Sequence, residues 1–254
     1  MINGKRVIAV ISARMSSTRL PGKVLMPLAG EPVLVRIVER VSQSKYIDEI
    51  VIATTVNPGD DVVETLCNER GYRCYRGSEE DVLARVYEAA KLCGADIVYR
   101  GMGDSPVVDW RIIDQLLEIL DKGNFDFVDN EMAEPAYPVG FDATVFTFSA
   151  LEDGYDEAVD PEIREHVTVH IKINPKRYKI FSVKAEGEMV WPELRLTLDT
   201  SEDYQVISAV YDALHSVNND FSASDAIQFL ITHPNIAALN ADILQKMPTL
   251  LAGK

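Results

Sequence analysis

Val7-Ile8-Ala9-Val10-Ile11-Ser12-Ala13-Arg14-Met15-Ser16-Ser17-Thr18-Arg19-Leu20-Pro21-Gly22-Lys23 is the stretch that decides the fold. An apolar run of strand length passes straight into a loop holding Arg14, Arg19, Lys23, the hydroxyls of Ser16, Ser17 and Thr18, and Gly22. A continuous apolar run reads as a strand buried on both faces, which is the habit of parallel sheets. The loop that follows is built for a strongly negative group. Arginine offers a planar fork to two oxygens, lysine a compact mobile charge, and glycine relieves crowding in the turn. A nucleoside triphosphate or sugar phosphate is the ligand it suggests. The loop has neither the Walker A pattern nor a Gly-x-Gly-x-x-Gly turn. A solvated basic loop beyond an edge strand is the alternative.

Outward from this strand the chain alternates. Val33–Val41 has helical spacing, Glu49–Thr54 reads as a strand, Asp60–Arg70 as a helix with Val63, Leu66 and Cys67 inward, and Arg73–Tyr75 as an edge strand. Ser78 is expected to cap a helix with Glu79, Glu80 and Asp81 in its first turn and Leu83, Val86, Tyr87 and Ala90 buried. Asp96–Tyr99 is a strand, Asp109 caps the next helix, and Phe125–Val128 is a strand. This βαβ alternation predicts an α/β fold, a mostly parallel sheet with helices on both faces and ligands at the strands' carboxyl ends. After residue 131 the pattern changes. Strands are expected over Phe141–Phe148 and Tyr178–Lys184, a helix over Pro161–His170, and a return to the main sheet at Leu194–Leu198. Helices over Ser201–His215 and Ser222–Ile231 close the domain. The expected organisation is one domain, 1–254, with an inserted arm over about 131–190 that covers the site or meets a second subunit.

Composition sets outer bounds. The 254 residues carry a formal charge of -15, yet residues 1–23 hold Lys5, Arg6, Arg14, Arg19 and Lys23 and no acid. An acidic surface disfavours nucleic acid and anionic membrane but not a small anion met by local cations. Cys67, Cys74 and Cys93 lack metal-site spacing and read as reduced thiols. With no signal-peptide pattern and no spanning-length apolar run, a cytoplasmic protein is expected.

Two acids complete the loop's chemistry. Asp104, in Arg100-Gly101-Met102-Gly103-Asp104-Ser105-Pro106, and Asp199, in Leu194-Arg195-Leu196-Thr197-Leu198-Asp199-Thr200-Ser201, each follow a strand-like run. Two carboxylates from different strand ends suit one Mg²⁺, a hard cation that shares its remaining positions with water and phosphate. Asp104 also fits a tight turn before Pro106, and Asp199 a helix cap. With the cationic loop, the pair points to nucleotidyl transfer by positioning and charge stabilisation.

Ala13-Arg14-Met15-Ser16-Ser17-Thr18-Arg19-Leu20-Pro21-Gly22-Lys23-Val24-Leu25 closely resembles the opening signature of the sugar-acid cytidylyltransferase superfamily, most of all its SpsF-type spore-coat polysaccharide biosynthesis branch. CMP-Kdo synthetases and acylneuraminate cytidylyltransferases are wider relatives. Arg76–Arg85, Gly103–Pro106, Arg164–Thr168 and Arg195–Asp199 extend the resemblance over most of the chain. It implies a nucleotide-diphospho-sugar transferase (Rossmann-like) fold, commonly dimeric, using CTP and Mg²⁺ and releasing pyrophosphate. By motif match, Arg14 and Lys23 fall on triphosphate contacts and Asp104 and Asp199 on magnesium ligands. These four form the expected catalytic set. The expected nucleotide-binding set is Ala13, Arg14, Ser16, Arg19, Lys23, Arg76, Ser78 and Arg85; Ser78 fits a base or ribose contact or a helix cap, and Arg85 a ligand contact or a surface ion network. Two departures stand out: Gly140-Phe141-Asp142-Ala143-Thr144 where relatives often have Gly-Leu-Asp and a more acidic segment, and Ser12 where Gln commonly precedes Ala-Arg.

On the acceptor side, a sugar acid needs a cation for its carboxylate and partners for its hydroxyls. Asp142, Arg164 and His166 are the candidates, and an imidazole at His166 could assist deprotonation if it approaches the acceptor hydroxyl. Ordinary Arg–Glu pairing on a surface helix is the alternative for Arg164. The leading expectation is transfer of CMP from CTP to the hydroxyl of a sugar acid, a small hydroxy acid or a phosphorylated polyol, by a homodimer with no nucleic-acid or membrane partner. Another nucleotide donor, sugar transfer from a nucleotide sugar, and an inactive nucleotide-binding scaffold are the other readings.

Overall fold

The structure, a computed structural model, describes residues 1–245 and 249–251. Strand β1 (Val7–Ser12) leads through the cationic loop and a small hairpin, β2 (Pro27–Leu28) and β3 (Glu31–Pro32), to α1 (Val33–Val41). There follow β4 (Glu49–Thr55), α2 (Asp61–Arg70), β5 (Arg73–Gly77), α3 (Val82–Leu92), β6 (Ile97–Met102), α4 (Trp110–Gly123) and β7 (Phe127–Asp129). The second half supplies β8 (Thr144–Thr147), α5 (Phe148–Glu157), α6 (Pro161–Glu165), α7 (Val169–Lys172), β9 (Ile180–Ser182), α8 (Ser201–Leu214), α9 (Ala223–Thr232) and α10 (Pro234–Ala237).

The main sheet has the order β5-β4-β1-β6-β8-β7-β9. The pairs β5-β4, β4-β1, β1-β6 and β7-β9 are parallel, while β8 runs antiparallel to both β6 and β7. The unbroken apolar run of β1 has a period of two in space. Val7, Ala9 and Ile11 join the core that includes α1, α4 and α8, and Ile8 and Val10 join the core under α3 and α5. A strand sandwiched this way needs apolar residues on both faces, which is why its sequence shows no alternation.

Several elements depart from expectation for local reasons. Asp81, not Ser78, caps α3 by accepting from Ala84 N–H, so Glu79 and Glu80 precede the helix instead of lying in its first turn. The strand expected over Phe141–Phe148 is only Thr144–Thr147, because the Thr147 hydroxyl accepts from Ala150 N–H and starts α5 at Phe148. The helix expected over Pro161–His170 is broken into α6 and α7. Val167 lies between them at φ +43 and is fully buried. A β-branched residue is unfavourable there, so packing has overridden local preference.

Leu194–Leu198 does not return to the main sheet. It makes one bridge, Val139 to Arg195, and donates Leu196 N–H to Val139 C=O (2.6 Å) and Leu198 N–H to Asp104 C=O (2.7 Å). Gly140 sits against this segment at φ +110, where a Cβ would lie 2.4 Å from the Leu196 carbonyl carbon. The close crossing brings the residues before Asp199 against the loop carrying Asp104. Residues 131–190 meanwhile contribute β8 and β9 to the sheet and α5, α6 and α7 beside it. Among the described residues no helix is long and apolar enough to cross a membrane.

Candidate active site

The loop after β1 is pinned at both ends. Ala13 N–H extends the strand by donating to Ala53 C=O, Met15 N–H donates to the Asp60 carboxylate (2.7 Å), and Gly22 N–H returns to Met15 C=O (3.0 Å). Gly22 has φ +74, a conformation that favours glycine, and the turn it makes aims Lys23 inward. Lys23 is buried, a costly place for an ammonium without partners. Its Nζ lies 2.9 Å from Asp104 Oδ2 and 2.9 Å from Asp199 Oδ1. Three elements far apart in sequence thus meet at one atom on the carboxyl rim of β1 and β6.

Asp199 collects more cations. Its Oδ2 pairs with Arg19 at 2.9 Å and accepts from Arg195 at 2.8 Å. Burial pushes its carboxyl up, but Lys23, Arg19 and Arg195 outweigh burial and hold it below the usual carboxylate range. Asp203 supports the arrangement from below. It accepts from Arg195 Nε (2.9 Å), Asp199 N–H (2.9 Å) and Thr200 N–H (3.0 Å), and it forms the capping box of α8 with Thr200. Arg195 and Asp203 were missed as site residues, although the four-residue spacings from Arg195 to Asp199 and on to Asp203 are visible in the sequence.

A second wall forms around Glu79. Arg14 approaches its carboxylate at 3.5 Å and the Ser16 hydroxyl donates to it. Arg85 is buried alongside and donates to the Ser78 carbonyl, and burial together with the nearby Arg14 charge depresses its guanidinium. The Ser78 hydroxyl accepts from Asp81 N–H at 3.1 Å. Arg14, Ser16, Ser78 and Arg85 therefore gather beside the same loop. Arg76 does not join them: it donates to the Thr55 and Asn57 carbonyls and pairs with Asp61 and Glu64, tying β5 to α2.

The acceptor-side candidates separate. Arg164 is committed to Asp81 (2.8 Å) and to the Tyr155 and Ala158 carbonyls, so it joins α6 to the start of α3 instead of offering a free guanidinium. His166 is half-buried at the end of α6, and its ring has no hydrogen bond among the described residues. His170 is structural, its ring held between the Val167 and Ala150 carbonyls. Asp142 does reach the basin behind Asp104. It accepts from Gly140 N–H (3.2 Å), and burial first, then Glu131, pushes its carboxyl up to about 7.

This shift has a signed consequence. Between the ordinary aspartate value of 3.8 and about 7, the folded protein holds a proton that the unfolded chain releases. Lowering the pH through that window stabilises the fold, and raising it removes the gain. Asp142→Asn is therefore expected to melt above the parent at pH 8, with the difference shrinking by pH 5. Equal differences at both pH values in thermal melts would refute the assignment.

Among the described residues no group of three or more His, Cys, Asp or Glu side chains is arranged to hold a metal ion. Asp104 and Asp199 are a two-carboxylate pair whose oxygens already converge on one cation. That donor set suits a metal taking its other ligands from water and phosphate better than one needing a protein cage.

A family model described as Cytidylyltransferase matches residues 8–227. The spore coat polysaccharide biosynthesis protein SpsF of Bacillus subtilis is 36% identical over 238 residues, covering 91% of this chain and 96% of that protein. A cytidylyltransferase structure from Leptospira borgpetersenii superposes with a TM-score of 0.84 at 30% identity, covering 96% of this chain and 100% of the other. A CMP:2-keto-3-deoxy-manno-octonic acid synthetase complexed with CTP superposes with a TM-score of 0.63 at 21% identity over 82% of this chain and 98% of the other, a likeness of fold.

Proposed function

The chain belongs to the cytidylyltransferase family, and from that premise we propose that it transfers CMP from CTP to the hydroxyl of a sugar acid, releasing pyrophosphate, in polysaccharide or glycoconjugate biosynthesis. The observation that carries this reading is Lys23 Nζ held at 2.9 Å from both Asp104 and Asp199. The three groups meet at one point, as a reaction on a metal-bound polyphosphate requires.

Charge balance suggests the working sequence. The ammonium of Lys23 and the guanidinium of Arg19 neutralise the two acids. An incoming triphosphate competes for those cations, with Arg14 and Ser16 on the outer wall of the loop. Asp104 and Asp199 would hold Mg²⁺, which supplies charge stabilisation on phosphoryl oxygens. The residues themselves fix the α-phosphate, bring the acceptor hydroxyl in line from the Asp142 side, and draw charge toward the pyrophosphate. Ser78 and Arg85 are assigned to the nucleoside end. The 131–190 segment is assigned to acceptor binding, and its outer face to a homodimer contact.

The test is a screen with CTP, Mg²⁺ and the acids 3-deoxy-manno-octulosonate and N-acetylneuraminate, alongside sorbitol 6-phosphate. The expected result is acid-dependent pyrophosphate release with a CMP conjugate in the mass spectrum. Faster turnover with ATP, GTP or UTP, or CTP binding without turnover, would count against the reading.

A further inference from the structure

With Arg164 committed to α3, the cleft needs another cation for an acidic acceptor, and the structure offers one on β6. Arg100 pairs in register with Val10 of β1, four residues before Asp104. It follows Val98 on the same face of the strand, the face whose core lies under α3 and α5. Among the described residues it is the arginine with neither an ion pair nor a hydrogen bond, and its Nε is buried without a partner. A partly buried guanidinium left this way forgoes several charge-assisted hydrogen bonds, which is unfavourable unless a ligand completes them.

Its surroundings limit the ligand. Burial depresses the Arg100 guanidinium, and the charges of Glu131 and Asp104 act against that. Glu131 is already met by Lys172 at 2.6 Å and by the Thr144 hydroxyl at 2.8 Å, and Lys172 also faces Asp129 at 3.2 Å. Lys172 is thus spent on acids of the protein. Among the described residues the basin therefore has one uncommitted cation, Arg100, and several carboxyl groups able to accept hydrogen bonds from hydroxyls. One cation among acids balances a single negative charge. A phosphate dianion would bring one negative charge more than Arg100 balances, beside the carboxyl groups of Asp104, Glu131 and Asp142.

We propose that Arg100 binds the carboxylate of the acceptor, with Asp142 and Glu131 accepting from its hydroxyls, so that the site selects a monoanionic polyhydroxy acid over a phosphorylated polyol. The inference rests on the cytidylyltransferase reading and deepens it. Arg100 lies outside the Lys23, Asp104 and Asp199 cluster, so its removal separates acceptor binding from use of CTP.

The experiment measures kcat and KM for CTP and for each panel acceptor in the parent, Arg100→Gln and Arg100→Lys, with a melting curve for each. Loss of a charge-assisted pair predicts a rise of roughly 10- to 100-fold in the KM of the acid for Arg100→Gln. Arg100→Lys should recover part of it, since it restores the charge without the fork. The KM for CTP and the melting temperature should stay near parental values. Acid KM within twofold of the parent in Arg100→Gln overturns the proposal, as does equal loss of CTP and acid use or a parent that prefers sorbitol 6-phosphate. A parent that releases pyrophosphate with no panel member fails at the underlying reading instead.

Discussion

Asp104→Asn is expected to lower kcat about a thousandfold while leaving the fold intact, and Asp199→Asn to lose both activity and stability. The two acids share Lys23 but differ in their other commitments. The Asp104 side chain is part-exposed and, among the described residues, pairs in charge with Lys23 alone, while its backbone carbonyl, which accepts from Leu198 N–H and the Thr197 hydroxyl, survives substitution. An asparagine keeps the shape and removes the negative charge that would hold a divalent cation. That contribution amounts to several kcal/mol of transition-state stabilisation, and about 4 kcal/mol corresponds to three orders of magnitude in rate. Asp199 is buried and faces Lys23, Arg19 and Arg195 together. A neutral side chain there leaves Lys23 with Asp104 alone, Arg195 with Asp203 alone and Arg19 without its acid, one negative charge short among buried cations, at a cost of about 3–5 kcal/mol. In a chain of this size that lowers the melting temperature by roughly 10 °C. Steady-state kinetics and thermal melts separate the two effects. Near-parental kcat in Asp104→Asn would remove it from the site.

Lys23→Ala carries the second large effect, in two opposite directions. The ammonium bridges two acids and is assigned to the triphosphate in the working complex. Its loss is expected to cut kcat/KM for CTP by about 100- to 1,000-fold, the scale for removing one aimed cation or donor from a transition state. The same change leaves Asp104 and Asp199 facing each other without their shared cation, since Arg19 and Arg195 both reach the far oxygen of Asp199. Added Mg²⁺ should then raise the melting temperature of Lys23→Ala without nucleotide, by the ordinary linkage of binding to stability, and barely move the parent. An equal shift in both proteins would show that Lys23 does not guard the acids.

Much of this architecture was legible because it rests on local signals. The apolar run of β1, the helical spacing of Val33–Val41 and the Asp109 cap are each decided within a dozen residues, and the structure reproduces them. The meeting of Lys23 and Asp104 was legible for a topological reason: both follow parallel strands, whose carboxyl ends share one rim, whereas Asp199 arrives by the close crossing of Leu194–Leu198 at Gly140 and not at the end of a sheet strand. What escaped depends on distant partners. Nothing near Arg164 announces that Asp81 will take its guanidinium, and nothing near Arg76 announces its ties to α2. Arg195 looked like one polar position in an alternating strand, yet that strand does not form and the side chain turns inward to Asp199 and Asp203. Arg100 stands in the same short motif as Asp104, but an arginine's lack of partners is a property of the folded basin. Val167 shows the converse, where core packing placed a β-branched residue at positive φ and broke a helix that its neighbours favoured.

The most direct measurement of the central claim is an anomalous difference map from crystals of the parent protein soaked with Mn²⁺, with and without CTP. The account predicts that with CTP a single metal peak stands between Asp104 and Asp199 and that Lys23 has turned from the acids to the triphosphate. A metal peak on another face of the sheet, or CTP bound while Lys23 still spans both carboxylates, would contradict it.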